Sequence, residues 1–229
     1  VTILTPIEIR TCWSITHVYE TGRARGNYSG LAVLDDNAGV SYGTSQATDG
    51  SGALDEIVAR YTDQQGEYSA ALKPYLPTLA DPLCPLRNND RFKQLLVDAG
   101  TDPVMRQIQD EVFSELYWEP ARNQAEALHL VEPLSYACLY DLAIQSGHGR
   151  LARLRRKFPE LPPVRGGEER AWTRALNDTR EYWLGTLRSY AARRSIYRTI
   201  SLRTLMNEDC WLLELPLNVR GVKISEDEL

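Results

Sequence analysis

No run of the roughly 18 uninterrupted apolar residues that a membrane span needs occurs in this 229-residue chain. The longest apolar stretch, 131–143, is broken by Glu132, Pro133 and Asp141, so membrane insertion is not expected. The start, Val1-Thr2-Ile3-Leu4, carries neither a basic segment followed by an apolar one nor an initiator Met. The chain is therefore read as a processed protein or a fragment of a longer one. Cys12, Cys84, Cys138 and Cys210 lie far apart, with no C-x-x-C pair and no histidine at metal-ligand spacing. That argues against zinc and against a thioredoxin-like site, and neither a metal nor a cofactor is expected. Two disulfides in an oxidising compartment stay open, although Cys12 and Cys138 fall inside apolar helical patterns, where a free buried thiol is common. Internal repeats and low-complexity segments are lacking as well.

What is present is an ordinary globular composition, 43% hydrophobic, with a net charge of -5 unevenly spread. Residues 1–140 hold 10 Lys and Arg against 19 Asp and Glu, whereas residues 141–229 hold 16 against 12. The basic half is dominated by Arg150, Arg153, Arg155, Arg156 and Lys157. Nucleic-acid binding is one reading of such a cluster. The better one is the solvated face of a helix that Phe158-Pro159 ends, and no nucleic-acid partner is expected.

Thr5-Pro6-Ile7-Glu8 is a capping box with proline at the first helical position, which predicts a helix to about Tyr19. From Tyr28 to Tyr42 the pattern shifts: Leu31, Val33 and Val40 flank the turn signal Asp35-Asp36-Asn37-Ala38-Gly39, predicting a short β-hairpin. Leu54, Ile57, Val58 and Tyr61 restore helical periodicity. Pro74, Pro77, Pro82 and Pro85 predict a turn-rich or extended boundary between a hairpin lobe of about 1–72 and a helical lobe of about 86–229. Asp102-Pro103 starts a long helix with a bend at Pro120, and 131–144 reads as a buried central helix. Further helices are expected over about 149–158, 168–182 and 186–206. The expected fold is mainly α, a single two-lobed α+β domain with one small hairpin.

Cleaving a glycosidic bond takes a carboxylic acid to protonate the leaving oxygen and usually a second carboxylate to activate water. Glu20 falls at the C-terminal end of the first helix, where the negative end of the helix dipole disfavours the ionised form and favours the acid. Asp36 falls at the tip of the hairpin that follows. The stretches Glu20-Thr21-Gly22, Gly26-Asn27-Tyr28 and Leu34 through Gln46 resemble the active-site region of the chitosanases of glycoside hydrolase family 46 and their relatives in the lysozyme superfamily. Weaker similarity continues through Asp102-Pro103, Leu139-Tyr140-Asp141, Gln145-Ser146-Gly147 and Tyr197-Arg198 to Trp211-Leu212-Leu213 with Pro216 and Gly221. The resemblance implies a lysozyme-like fold with Glu20 as general acid, Asp36 as the base that activates water with inversion, and Ser41 as a hydroxyl that helps hold that water. An inverting site places the two carboxyl groups roughly 6.5–9.5 Å apart.

Around this pair, Gln46 is positioned to hydrogen-bond a sugar, Tyr28 and Tyr42 to stack on pyranose faces, and Asp49 to contact substrate from the next loop. His17 lies one helical turn before Glu20. Asp141, in an apolar helix, needs a cationic partner if buried, and Arg174 or Arg180 is expected to supply it. The substrate implied is a β-1,4-linked amino-sugar polymer. The acidic half suits polycationic chitosan, but the hairpin string also resembles phage lysis proteins and antibacterial effectors, and endo-cleavage of peptidoglycan is the reading preferred from sequence. That reading brings with it action in the periplasm or cell wall, delivery by a secretion machine, a holin or a parent protein, and an immunity or inhibitor protein as partner. A non-catalytic cell-wall-binding module is the alternative of another class.

Overall fold

The computed structural model describes residues 4–33, 40–44, 47–48, 52–80 and 85–229. Helix α1 (Pro6–Thr21) is followed by a small sheet of β1 (Leu31–Val33), β2 (Val40–Tyr42) and β3 (Ala47–Thr48). Helices α2 (Ala53–Asp63), α3 (Ser69–Leu72), α4 (Leu76–Leu79), α5 (Asp90–Ala99) and α6 (Pro103–Phe113) come next. Then follow α7 (Glu119–Ala127), α8 (Pro133–Ser146), α9 (Arg150–Arg155), α10 (Glu169–Gly185), α11 (Tyr190–Arg194) and α12 (Ile196–Asn207), and the hairpin of β4 (Leu217–Val219) and β5 (Val222–Ile224). The chain divides into two compact units, one formed by Glu20–Leu116 and one by Val1–Tyr19 together with Tyr117–Leu229. The division does not fall in the proline-rich stretch. Pro74 and Pro77 sit in the first turns of short helical segments, where a missing N–H costs nothing, and they start turns there instead of holding the chain extended.

In the unit of residues 20–116 the sheet is an antiparallel meander, with Val33 opposite Val40 and Ser41 opposite Thr48. The third strand goes beyond the expected hairpin. Two residues are too few to show an alternation that sequence can reveal. Leu54, Ile57, Val58 and Tyr61 form the buried face of α2, which packs on α6. Asp102 fastens this corner: one oxygen caps α6 at Val104 N, and the other accepts from the Tyr61 hydroxyl and Glu67 N. Burial opposes its ionisation, but these three donors hold its carboxyl below the ordinary value.

In the other unit, α1 opens with the expected capping box, in which Thr5 N donates to Glu8 Oε2 (2.6 Å) and Glu8 N to Thr5 Oγ1 (3.3 Å). The centre is α8, buried from Pro133 to Ala143 and packed by α7, α9 and α10. The bend expected at Pro120 begins earlier, as a π-helical turn over Ser114–Trp118. Proline at 120 offers no N–H to the preceding turn, and the widened turn carries Trp118 into the core, edge-on to Trp13 (6.1 Å) and Tyr140 (5.5 Å). The helix expected over 186–206 is two helices, broken after Arg194. Of the Arg-rich segment, Arg150 lies over the Trp183 ring (4.0 Å) and Arg155 donates to Phe158 O, closing the end of α9. Cys12, Cys138 and Cys210 are free thiols, Cys12 bonding Pro133 O, while Cys84 lies outside the described residues. No described helix is long and apolar enough to cross a membrane.

Candidate active site

Glu20 occupies the last turn of α1, half-buried, two residues before Gly22. Gly22 has φ +72°, the left-handed conformation that ends a helix and that side chains other than glycine adopt at a cost. Nothing crowds that glycine, so the backbone turn alone calls for it. The sequence thus stops the helix one residue after Glu20, in the last turn, where the negative end of the helix dipole lies. His17, one turn earlier, is buried.

Ser41 stands on the middle strand β2, buried between Val40 and Tyr42. This strand is anchored by Gln109 of α6, a fully buried residue that the sequence gives no reason to single out. Gln109 Nε2 donates to Tyr28 O (2.9 Å), while its Oε1 accepts from Thr44 N (3.2 Å). A Cβ on Gly43, which also has φ +80°, would overlap Gln109 Oε1, so the glycine read as part of the motif is there for this close approach. One amide therefore ties the segment entering β1 and the turn leaving β2 to α6.

One expected sugar platform is corrected. Tyr42 is fully buried, since all of β2 faces packed protein and not water, and its ring presents no face to a pyranose. Tyr28 is half-buried, its hydroxyl donates to both oxygens of Asp110 (3.0 and 3.1 Å), and Arg106 lies over its ring. Asp36, Gln46 and Asp49 lie outside the described residues.

Burial pushes the Asp110 carboxyl up to about 6, with the negative charge of Glu111 adding to the rise and the Tyr28 hydroxyl opposing it. A carboxyl raised in the folded state binds more protons there than in the unfolded chain, so its contribution to stability falls as pH rises from about 4 to about 6. Asp110→Asn removes this term. The variant is expected to gain stability over wild type by about 3 kcal/mol at pH 7 and to lose the advantage near pH 4, read by urea unfolding at both pH values. An identical difference at the two pH values would show that Asp110 does not titrate in this window.

In the other unit, Asp141 is fully buried and held by two guanidiniums, Arg180 Nη1 to Oδ2 (2.8 Å) and Arg198 Nη1 to Oδ1 (2.6 Å). Burial alone would raise its carboxyl, but the charges and hydrogen bonds of Arg198 and Arg180 hold it below its ordinary value. Arg174 is not a partner. Six residues from Arg180 on α10, it is turned about 120° around the helix, and it bonds Asn207 Oδ1 and Met206 O. Arg198 on α12 was missed as a partner, and the one sequence signal for it is the faint Tyr197-Arg198 similarity. The cluster pins α8, α10 and α12 at one point.

Solved chitosanases carry the same fold. The Gynuella sunshinyii chitosanase in complex with chitotetraose aligns at TM-score 0.84 with 26% identity, covering 97% of this chain and 98% of that one. The native chitosanase of Bacillus subtilis MY002 aligns at 0.85 and 26%, over 97% and 99%. A curated chitosanase of Bacillus subtilis (strain 168) is 27% identical over 93% of this chain and 81% of its own length. The mostly helical, lysozyme-like architecture with its small sheet is thus that of a glycoside hydrolase. The family model described as Glycosyl hydrolase family 46 matches residues 14–217, and the chain belongs to that family. Against the preference drawn from sequence, the named relatives are chitosanases, which favours the glucosamine-polymer alternative over peptidoglycan.

Proposed function

We propose that this chain is an endo-acting chitosanase that cleaves β-1,4 bonds of a glucosamine polymer with inversion, the whole chain serving as one catalytic domain. The observation that carries the reading is the family match over residues 14–217 together with likeness to enzymes named chitosanase, one of them complexed with chitotetraose. A mutant of the MY002 enzyme complexed with 6 GlcN, 25% identical to this chain, points to the same sugar. In this reading Glu20 protonates the leaving oxygen, Asp36 takes a proton from the attacking water, and Ser41 orients that water from the middle strand. Gln46 and Asp49 contact the sugar. The acidic balance of residues 1–140 attracts a polycation.

Release of reducing ends from soluble chitosan, fully N-acetylated chitin oligomers and purified peptidoglycan tests this. Chitosan is expected to be cleaved at least about 10²-fold faster than either, because groups placed for an ammonium are left unpaired by an acetamide. Its kcat/KM is expected to fall with added salt as steering is screened. Preferential cleavage of peptidoglycan would overturn the reading and restore the cell-wall route, with its delivery machinery and immunity partner.

A further inference from the structure

The hairpin β4–β5 turns through only two residues, Arg220 and Gly221, both with positive φ (55° and 83°). That is the type I′ turn, for which Asn-Gly is the favoured pair, because a long side chain in the left-handed region is strained. The neighbouring Asn218 side chain already accepts from Gly221 N and braces the turn. Arginine in the asparagine position is therefore a cost to the turn and needs a return elsewhere. Among the described residues its guanidinium makes no ion pair; it lies 3.9 Å from the centre of the Tyr197 ring, well within cation–π range.

Tyr197 in turn donates its hydroxyl to Tyr19 O at 2.7 Å. Tyr19 is the residue before Glu20, and its carbonyl belongs to the last turn of α1, where carbonyls lack intrahelical donors. The bond fixes the direction of that turn and draws electron density from the helix end beside the acid. Tyr197 also meets the Tyr19 ring edge-on (6.0 Å) and lies under the Arg198 guanidinium (5.8 Å). Arg220 lies beyond residues 14–217, the stretch that the family model matches.

We propose that Arg220 is a positioning residue for the catalytic acid: from the hairpin tip it holds the Tyr197 ring, whose hydroxyl holds the Tyr19 carbonyl and with it the end of α1 that carries Glu20. The proposal rests on Glu20 being the acid. Arg220→Asn is the informative variant, because asparagine suits the turn better while removing the cation. Its melting temperature is expected to equal or exceed that of wild type, with kcat on soluble chitosan lowered about 3- to 30-fold and KM unchanged. Arg220→Lys should recover part of the loss. Tyr197→Phe should lower kcat similarly, and the double variant should fall no further than the larger single effect, since both act on one chain of contacts. Wild-type kcat in Arg220→Asn, or fully additive losses in the double variant, would overturn the proposal. Full activity of Glu20→Gln would instead sink the assignment of the acid, a separate result obtained in a different variant.

Discussion

Glu20→Gln is expected to lower kcat on chitosan by about 10²–10⁴-fold, with little change in melting temperature. The amide keeps the size and hydrogen-bonding capacity of the side chain but has no proton to give, so the leaving sugar must depart as an alkoxide. Stability should hold because Glu20 is half-buried in the last turn of α1, where it is not part of the core. A substrate whose leaving group needs no proton discriminates the role. A glycosyl fluoride of the glucosamine dimer should lose far less rate than the polymer. Equal losses on both would mean that Glu20 binds the sugar and does not donate a proton, and no loss on either would remove it from the site.

Asp141→Asn is expected to cost about 3–5 kcal/mol, because it leaves Arg180 and Arg198 buried around a neutral amide. For a chain of this size that is a fall of roughly 6–20 °C in melting temperature. The cost should shrink when the positive charges go too: a triple variant with Asp141→Leu, Arg180→Met and Arg198→Met should recover much of the loss, since a packed apolar trio avoids the desolvation that the ions pay. The wild-type contribution has a defined pH sign. A carboxyl held below its unfolded value stabilises the fold above about pH 4, and that stabilisation is lost as pH falls through the folded value. A loss under about 1 kcal/mol in Asp141→Asn would show that water reaches the two guanidiniums.

Elements with a local cause were legible in the sequence. The start of α1 is written in Thr5-Pro6-Ile7-Glu8, and the buried α8 in its run of apolar residues. That Asp141 needs a cation followed from burial alone, but which cation depends on helix registers that meet only after folding, so Arg180 was reached, Arg174 was wrong and Arg198 went unseen. Gln109 belongs to the same kind: a glutamine is common, and only the folded chain shows it against Gly43. An aromatic residue in a hairpin reads the same whether it faces water or packed protein, so the sequence offers Tyr42 as a sugar platform and the fold buries it. The choice between polymers was beyond the motif, whose resemblance extends to enzymes of both kinds, and the named chitosanase relatives tilt it.

The Tyr28–Asp110 contact bears on where such an enzyme is at ease. Chitosan dissolves as its amines take up protons, in mildly acidic water, and precipitates as they lose them. The carboxyl of Asp110 is raised in the same direction, to about 6, so in acid the strut that bonds Tyr28 carries no buried charge. Under the proposed function, polymer solubility and this contact improve together on the acid side of neutrality, and raising the pH withdraws both dissolved chitosan and some of the stability around Tyr28.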